Sequence, residues 1–283
     1  WTLNDNPPGT VYEAQVSTDG FATLSAFGRT SSSSVSFQGL GSNTTCHLRV
    51  RAINHGGIRT GFDVAVPTST RVLAPQQAAA SGVGGSSVTA NWQGGGNSPT
   101  TVYEARISTD AFASVNASSR TLNRSAVFAG LLGNKLYNFQ VRAFGNDGGA
   151  TPSTPLPSAR TLLLPPGTAA QPITELRSNR AALSWTSGGN SPETFYTARV
   201  STDAFSTVFA ASVTVGLSAE FGAGGSGPAL SANTTHYFQV RSENGLDASP
   251  FVALGSATIT LANPPAGSGA ASIYVTSAAI GWG

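Results

Sequence analysis

The sequence predicts an all-β protein built from tandem β-sandwich domains. A stretch that begins at a tryptophan occurs three times, at Trp1, Trp92 and Trp185, with spacings of 91 and 93 residues, and Trp282 follows 97 residues after the third. Short runs alternate apolar and polar residues, as in strands with one buried face, and no segment keeps the 3.6-residue period of a helix. This repeat length exceeds a solenoid unit and suits a small sandwich domain.

Each repeat keeps its landmarks at constant spacing. A tyrosine follows the tryptophan by eleven residues, and a phenylalanine follows the tyrosine by 25. An alternating run comes later in each copy, CHLRVRA from Cys46, YNFQVRA from Tyr137 and HYFQVRS from His236. The predicted core residues are therefore Trp1, Tyr12, Phe37, Trp92, Tyr103, Phe128, Tyr137, Trp185, Tyr196, Phe221 and Trp282.

Domain boundaries are predicted at proline-containing segments. Pro75, Pro165 and Pro264 each follow an extended run, and proline ends strand pairing and starts a short, stiff linker. The predicted segments are residues 1–74, 75–164, 165–263 and 264–283. The third segment carries a glycine-rich insertion, Gly222 to Pro228, whose composition indicates a surface loop.

Composition argues against several classes of partner. The net charge of +2 is too small for the electrostatic footprint of a nucleic-acid-binding protein. No apolar run approaches the roughly 20 residues that span a bilayer. The single cysteine, Cys46, cannot form an intrachain disulfide. We therefore expect no nucleic-acid partner and no membrane span.

These landmarks resemble fibronectin type III repeats. In that family a core tryptophan ends strand B and a tyrosine lies in strand C, as Trp92 and Tyr103 do, and a leucine precedes a second tyrosine by six residues, as Leu131 precedes Tyr137. The resemblance implies seven-stranded Greek-key sandwiches, an extracellular or cell-surface location, and neither catalysis nor a cofactor. Cys46 and His236 replace the strand F tyrosine of the family in two of the copies.

The resemblance also implies which strands of the repeat lie at the two ends of the chain. The first copy has strands C to G without A and B, whereas residues 264–283 have an A–B pair without C to G. Ala278, Ile280 and Trp282 occupy the positions of Val88, Ala90 and Trp92. Two interpretations follow: a window of a longer tandem array, or head-to-tail complementation in which residues 264–283 of one copy complete the first domain of the next. The predicted assembly residues are Ile273, Val275, Ala278, Ile280 and Trp282.

No catalytic, metal or cofactor site is predicted. Ser17-Thr18-Asp19 recurs in each copy, but contiguous residues cannot form a relay of nucleophile, base and orienting group, so we predict a hydrogen-bonded turn. The three histidines have no metal-ligand partner at useful spacing. Glu13 and Arg51 are expected to pair across strands at an exposed position. Four sequons fit N-glycosylation, beginning at Asn43, Asn116, Asn123 and Asn233.

The sequence therefore favours a structural segment of an extracellular filament or surface fibre whose partners are other copies of itself, arranged head to tail. An adhesion or glycan-binding array, with a glycan or cell-surface partner, is the first alternative. A spacer module of a secreted multi-domain enzyme is the second. The Ser-Thr-Asp-x-Phe turn is not part of the general family pattern, and it resembles the repeats of some large bacterial surface proteins.

Overall fold

A computed structural model describes residues 1–267, 269–273 and 276–281. Within these ranges every regular element is a β-strand, and the paired strands run antiparallel. The predicted all-β fold class is confirmed. Two of the residues predicted above from the sequence, Val275 and Trp282, lie outside the described ranges.

The first repeat forms one sheet only. Its strands are β1 (Val11–Ser17), β2 (Ala26–Thr30), β3 (Thr45–Ile53), β4 (Asp63–Val64) and β5 (Thr68–Ser69). The order is β2-β1-β3-β4, and β5 also pairs with β3. Residues 34–38 contain no strand, although they include Phe37.

The second repeat has both sheets of a sandwich. Its strands are β6 (Gln76–Gln77), β7 (Ser87–Gln93), β8 (Val102–Ser108), β9 (Ala117–Thr121), β10 (Ser125–Ala129), β11 (Leu136–Phe144) and β12 (Thr154–Arg160). One sheet has the order β10-β7-β6 and the other β12-β11-β8-β9. Aromatic pairs connect them: the ring centroids of Trp92 and Tyr103 are 5.8 Å apart, and those of Phe128 and Phe139 are 6.1 Å apart.

The third repeat has the same two-sheet arrangement. Its strands are β13 (Gly167–Leu176), β14 (Arg180–Thr186), β15 (Phe195–Ser201), β16 (Ala210–Thr214), β17 (Ser218–Gly222), β18 (Thr235–Glu243), β19 (Val252–Ala253) and β20 (Thr258–Ile259). One sheet has the order β13-β14-β17, and the other has the order β16-β15-β18-β19, with β20 also on β18. Trp185 and Tyr196 lie 6.0 Å apart by ring centroids, and Leu183 beside them is fully buried.

The tail after the third repeat forms a hairpin of β21 (Gly269–Ile273) and β22 (Ala278–Gly281). Its register places Ala270 opposite Ile280 and Ile273 opposite Ala278. The third repeat has an equivalent pairing, in which Ile173 lies opposite Leu183. The hairpin therefore has the same antiparallel pairing as the β13–β14 pair.

The described chain divides into two compact units. One contains Trp1–Val83, Ser87–Ala129 and Leu136–Ala159, and the other contains Gly84–Ser86, Gly130–Lys135 and Arg160–Gly283. The first unit holds the first repeat and most of the second. The second unit holds the third repeat, the tail and three short segments of the second repeat. The domain boundaries at 74/75, 164/165 and 263/264 remain a prediction.

A histidine is buried in the third repeat at the position that Tyr137 has in the second. His236 is 1% exposed, its Nδ1 donates to the Thr234 carbonyl at 2.9 Å, and its Nε2 has no partner among the described residues. Burial lowers the pKa of this ring from its ordinary value of 6.5, against a smaller upward effect of the Thr234 hydrogen bond. The folded repeat therefore favours the neutral ring.

We expect the third repeat to lose stability as the pH falls below about 6.5, because the unfolded chain then binds a proton that the folded repeat excludes. The slope can reach about 1.4 kcal/mol per pH unit. Thermal unfolding between pH 7 and pH 5 measures this effect. His236→Tyr places the residue of Tyr137 at the same position, and it should flatten the dependence; an unchanged slope would show that His236 does not carry it.

Candidate assembly surface

Two buried asparagines join consecutive repeats. Asn43 precedes β3 and Asn134 precedes β11, and their exposed fractions are 0% and 4%. Both have φ of 52°, a left-handed conformation that asparagine tolerates better than most residues. Their backbone N–H groups donate to equivalent carbonyls, Asn43 to Arg71 at 3.2 Å and Asn134 to Leu162 at 3.1 Å. The two sites therefore begin from the same backbone geometry.

The side chain of Asn43 uses both of its N–H donors and its carbonyl oxygen in hydrogen bonds. Its Nδ2 donates to Thr101 Oγ1 at 2.8 Å and to the Phe144 carbonyl at 3.2 Å. Its Oδ1 accepts from the backbone N–H of Asn146 at 2.7 Å. An amide from the first repeat is thus enclosed by two loops of the second. Because Nδ2 is buried and bonded, Asn43 is not accessible as a glycosylation acceptor.

Asn134 has the equivalent partners in the third repeat. Its Nδ2 donates to Thr194 Oγ1 at 3.1 Å, and its Oδ1 accepts from Asn244 Nδ2 at 3.0 Å. Its carbonyl also accepts from Ser191 Oγ at 3.3 Å. The loop after the tryptophan and the loop after the long strand β18 therefore form the same kind of socket as in the second repeat.

A second asparagine clamps the linker at each of these junctions. Asn97 accepts from the Leu73 N–H at 2.8 Å and donates to the Leu73 carbonyl at 2.7 Å. Asn190 does the same to Leu164, at 2.9 and 2.6 Å. Both asparagines are buried. Each linker is thus fixed by side-chain bonds to its backbone as well as by its prolines.

The first repeat leaves an apolar face open. A cavity of about 470 Å³ is lined by Trp1, Val35, Phe37, Leu48, Val50 and Ala65 among other residues. Trp1 is 37% exposed, whereas Trp92 and Trp185 are each 3% exposed. Strands β6 and β7 of the second repeat, and β13 and β14 of the third, form the sheet that the first repeat lacks.

The predicted core residues lie in two environments. Ten of them are described, and eight are buried: Tyr12, Trp92, Tyr103, Phe128, Tyr137, Trp185, Tyr196 and Phe221. The other two are less buried, since Trp1 is 37% exposed and Phe37 is partly exposed. Both lie on the open face, so their burial depends on a second sheet that the described first repeat does not contain. The eleventh, Trp282, lies outside the described residues.

Three of the predicted assembly residues, Ile273, Ala278 and Ile280, lie in the β21–β22 hairpin. Ile280 is 68% exposed and Ala278 is also exposed. The buried residues at the equivalent positions are Val88 and Ala90 in the second repeat, and Ala181 and Leu183 in the third. Ile273 lies in β21, whereas Val275 and Trp282 lie outside the described residues. The hairpin therefore exposes apolar positions that are buried in the complete repeats.

Glutamate side chains on the outer face of strands β1 and β8 are buried by arginines, whereas the sequence predicts an exposed Glu13–Arg51 pair. Glu104 is only 7% exposed and contacts Arg106, Arg120 and Arg142 at 2.6, 3.2 and 2.8 Å. Burial alone would raise the pKa of Glu104, but hydrogen bonds from Arg106 and Arg120 outweigh it and lower the pKa below its ordinary value. Glu13 has the same role in the first repeat, with Arg29 and Arg51. The predicted Glu13–Arg51 pair forms, but around a buried carboxylate.

In the third repeat the carboxylate on this face comes from a different strand, β18. Thr197 stands at the position of Glu104, and its hydroxyl donates to Glu243 at the end of β18. Glu243 also contacts Arg241 at 3.1 Å. A negative charge is therefore present on this face of all three repeats.

The Ser-Thr-Asp-x-Phe segments form the predicted turn. Ser17 Oγ accepts from the Phe21 N–H at 2.8 Å and donates to Asp19 at 2.7 Å. Hydrogen bonds from the side chain and backbone of Thr23, and from Ser17, lower the pKa of Asp19 to about 2. Asp110 and Asp203 also have pKa values of about 2, with equivalent partners. These carboxylates are stable, ionised turn acceptors.

Neither a cluster of metal-ligating side chains nor a membrane-spanning helix occurs in the described part of the chain. It contains no group of three or more His, Cys, Asp or Glu side chains arranged to hold a metal ion. None of its elements is a helix that could cross a bilayer. Cys46 is 3% exposed, and burial raises the pKa of its thiol, which disfavours the reactive thiolate.

Sequence reasoning missed the asparagine clamps, although their signal is present. An asparagine follows each repeat tryptophan by five residues, at Asn6, Asn97 and Asn190. A threonine follows by nine residues, at Thr10, Thr101 and Thr194. Such constant polar positions in a loop that otherwise varies would have indicated a shared hydrogen-bonding role.

Comparison with known proteins identifies the family of the second repeat. The fibronectin type III domain model matches residues 73–159. A two-domain fibronectin type III segment of chicken tenascin is 13% identical, with a TM-score of 0.46, and the match covers 66% of this chain and 99% of that one. The FN1–FN3 domains of chicken CNTN1 are 15% identical, with a TM-score of 0.28 and 91% coverage of both chains. No curated protein matches the chain. Residues 73–159 are therefore a fibronectin type III domain.

Proposed function

We propose that this chain is a structural subunit of an extracellular or cell-surface filament, in which residues 264–283 of one copy complete the first sandwich of the next. The open apolar face of the first repeat, with its cavity of about 470 Å³, carries the proposal. Exposed apolar faces of this kind are typical of interaction sites. The bacterial surface-protein origin indicated by the Ser-Thr-Asp-x-Phe turns belongs to the same proposal.

The complete repeats indicate what would fill the open face. In the second repeat β7 buries Val88 and Ala90 against the opposite sheet, and in the third β14 buries Ala181 and Leu183. The β21–β22 hairpin has Ala278 and Ile280 at these positions, both exposed. A second copy of this chain therefore supplies the missing pair of strands in the required pattern.

The complete repeats also set the register of the contact. Val88 lies opposite Phe128 and Ala90 opposite Ala126. In the first repeat, Phe37 stands at the position of Phe128, and Val35 stands at the position of Ala126. The proposal therefore places Ala278 opposite Phe37, and Ile280 opposite Val35, of the next copy. This pairing gives residues 34–38 a neighbouring strand. The equivalent residues of the second and third repeats have such a neighbour and form strands β10 and β17, whereas residues 34–38 have none and form no strand.

Strand addition of this kind produces a filament. The hairpin and the open face lie on different parts of the chain, so the contact is heterologous and each copy leaves one of each free for the next. Burying the Ile280 side chain contributes about 1.5–3 kcal/mol. The backbone hydrogen bonds of the added strand add to this gain.

The test is self-association of the full chain, followed by sedimentation and by electron microscopy. Ile280→Asp should abolish assembly, because it places a charge in the apolar face. Leu246→Asp is the matched control, since Leu246 is 91% exposed on a loop of the third repeat and should not affect assembly. Monomers at every concentration, or filaments unaffected by Ile280→Asp, would contradict the proposal.

A further inference from the structure

The third of the junction asparagines lacks the enclosure of the other two. Asn233 has φ of 50°, and its N–H donates to the Leu261 carbonyl at 3.2 Å, as in the equivalent bonds of Asn43 and Asn134. Yet Asn233 is exposed, and its side chain makes no hydrogen bond to the described residues. The third repeat therefore has the donor half of a junction, without a side-chain partner among the described residues.

The first repeat has the matching acceptor half. A cavity of about 220 Å³ is lined by Asn6, Thr10 and Asn54, among other residues. Thr10 follows its tryptophan by nine residues, as Thr101 and Thr194 do, and is 6% exposed. These threonines are the ones that accept from Asn43 and Asn134.

The loop after β3 supplies the second partner. Asn54 directly follows β3, as Asn244 directly follows β18. In both loops the asparagine Oδ1 accepts a backbone N–H of the same loop, from Ile58 at 2.8 Å and from Asp247 at 2.8 Å. This orientation leaves Asn244 Nδ2 free to bond Asn134, and it presents Asn54 Nδ2 to the cavity. No hydrogen bond of Asn54 Nδ2 occurs in the described chain.

We propose that Asn233 of one copy inserts into the cavity between Thr10 and Asn54 of a second copy. Its Nδ2 donates to Thr10 Oγ1, and its Oδ1 accepts from Asn54 Nδ2. Asn6 Oδ1 can then accept from the backbone N–H of Asn263 in the other copy, since Asn263 stands two residues after Leu261, as Leu164 stands two after Leu162. The Nδ2 of Asn6 already donates to the Leu3 carbonyl and to the Tyr12 hydroxyl. This contact rests on the proposed head-to-tail assembly and fixes its orientation, because an apolar strand pair alone does not set the angle between successive domains.

The experiment compares the apparent dissociation constant for self-association of the full chain and two variants by sedimentation. Asn233→Gly removes the amide and tolerates the positive φ. It should weaken association by about tenfold to a hundredfold, the effect of two buried hydrogen bonds. Thr10→Val removes one of the two and should weaken association about tenfold. The double variant should be little weaker than Asn233→Gly alone, because that variant already removes the contact with Thr10.

Comparison with Ile280→Asp separates this contact from strand complementation. Association that Ile280→Asp abolishes and Asn233→Gly leaves unchanged overturns the asparagine contact and retains the filament proposal. Association weakened by Asn233→Gly but not by Ile280→Asp retains the asparagine contact and overturns complementation. A chain that remains monomeric overturns both. Additive effects of Asn233→Gly and Thr10→Val would show that the two residues do not meet.

Discussion

Trp92→Ala should lower the unfolding free energy of the second repeat by about 3–5 kcal/mol. Trp92 is 3% exposed and packs on Tyr103, so its removal leaves a large cavity between the two sheets. A domain of this size has about 5–15 kcal/mol of stability, so the loss threatens the fold. Chemical denaturation followed by fluorescence measures it.

Trp1→Ala is the matched control. Trp1 makes the same contact, with its ring centroid 5.9 Å from that of Tyr12, but it is 37% exposed. Below the concentration at which copies associate, its replacement should cost about 1 kcal/mol or less. Equal losses for Trp92→Ala and Trp1→Ala would contradict the assignment of an open first repeat.

Asn134→Gly should destabilise the chain by about 2–3 kcal/mol. It removes the amide that Thr194 and Asn244 bond, and Thr194 is fully buried, so its hydroxyl is left without that partner. Glycine retains the φ of 52°. Urea denaturation at a concentration below assembly gives the difference.

Asn233→Gly controls for the backbone in this comparison. It increases the conformational entropy of the unfolded chain by the same amount, because it also replaces an asparagine by glycine. Asn233 has a left-handed backbone as well, but its side chain makes no hydrogen bond to the described residues. The excess loss of Asn134→Gly over Asn233→Gly is then the contribution of the enclosed amide. An excess near zero would mean that the buried network does not hold the junction.

The landmarks of the repeats determined how much of the fold could be predicted. The spacing from Trp92 to Tyr103 predicts two residues that face each other, because alternation along a strand assigns each side chain to a face. Burial of Trp1 could not be predicted from the same spacing, since it depends on a second sheet rather than on local pattern. The seven strands of the second repeat follow the family pattern.

The polar contacts were harder to predict, because they depend on loop geometry. Alternation placed Glu104 on the outer face, but three arginine side chains fold over it and remove it from water. In the third repeat Thr197 stands at the position of Glu104, and Glu243 on the neighbouring strand supplies the carboxylate. Predicting this requires knowing which strands are neighbours. The socket for Asn134 brings together loops far apart in sequence, and no local signal gives their distance.

Disulfide cross-linking between copies tests the central claim of strand complementation most directly. In the second repeat Thr89 lies opposite Val127 on the outer face of the sheet. The equivalent pair across the proposed contact is Ala279 of one copy and Ser36 of the next. Oxidation of a chain carrying Ser36→Cys and Ala279→Cys should therefore give a ladder of covalent oligomers, whereas Ser32→Cys with Ala279→Cys, displaced by about 13 Å along the strand, should give none. Absence of the ladder from the first variant, or equal ladders from both, would contradict the head-to-tail register.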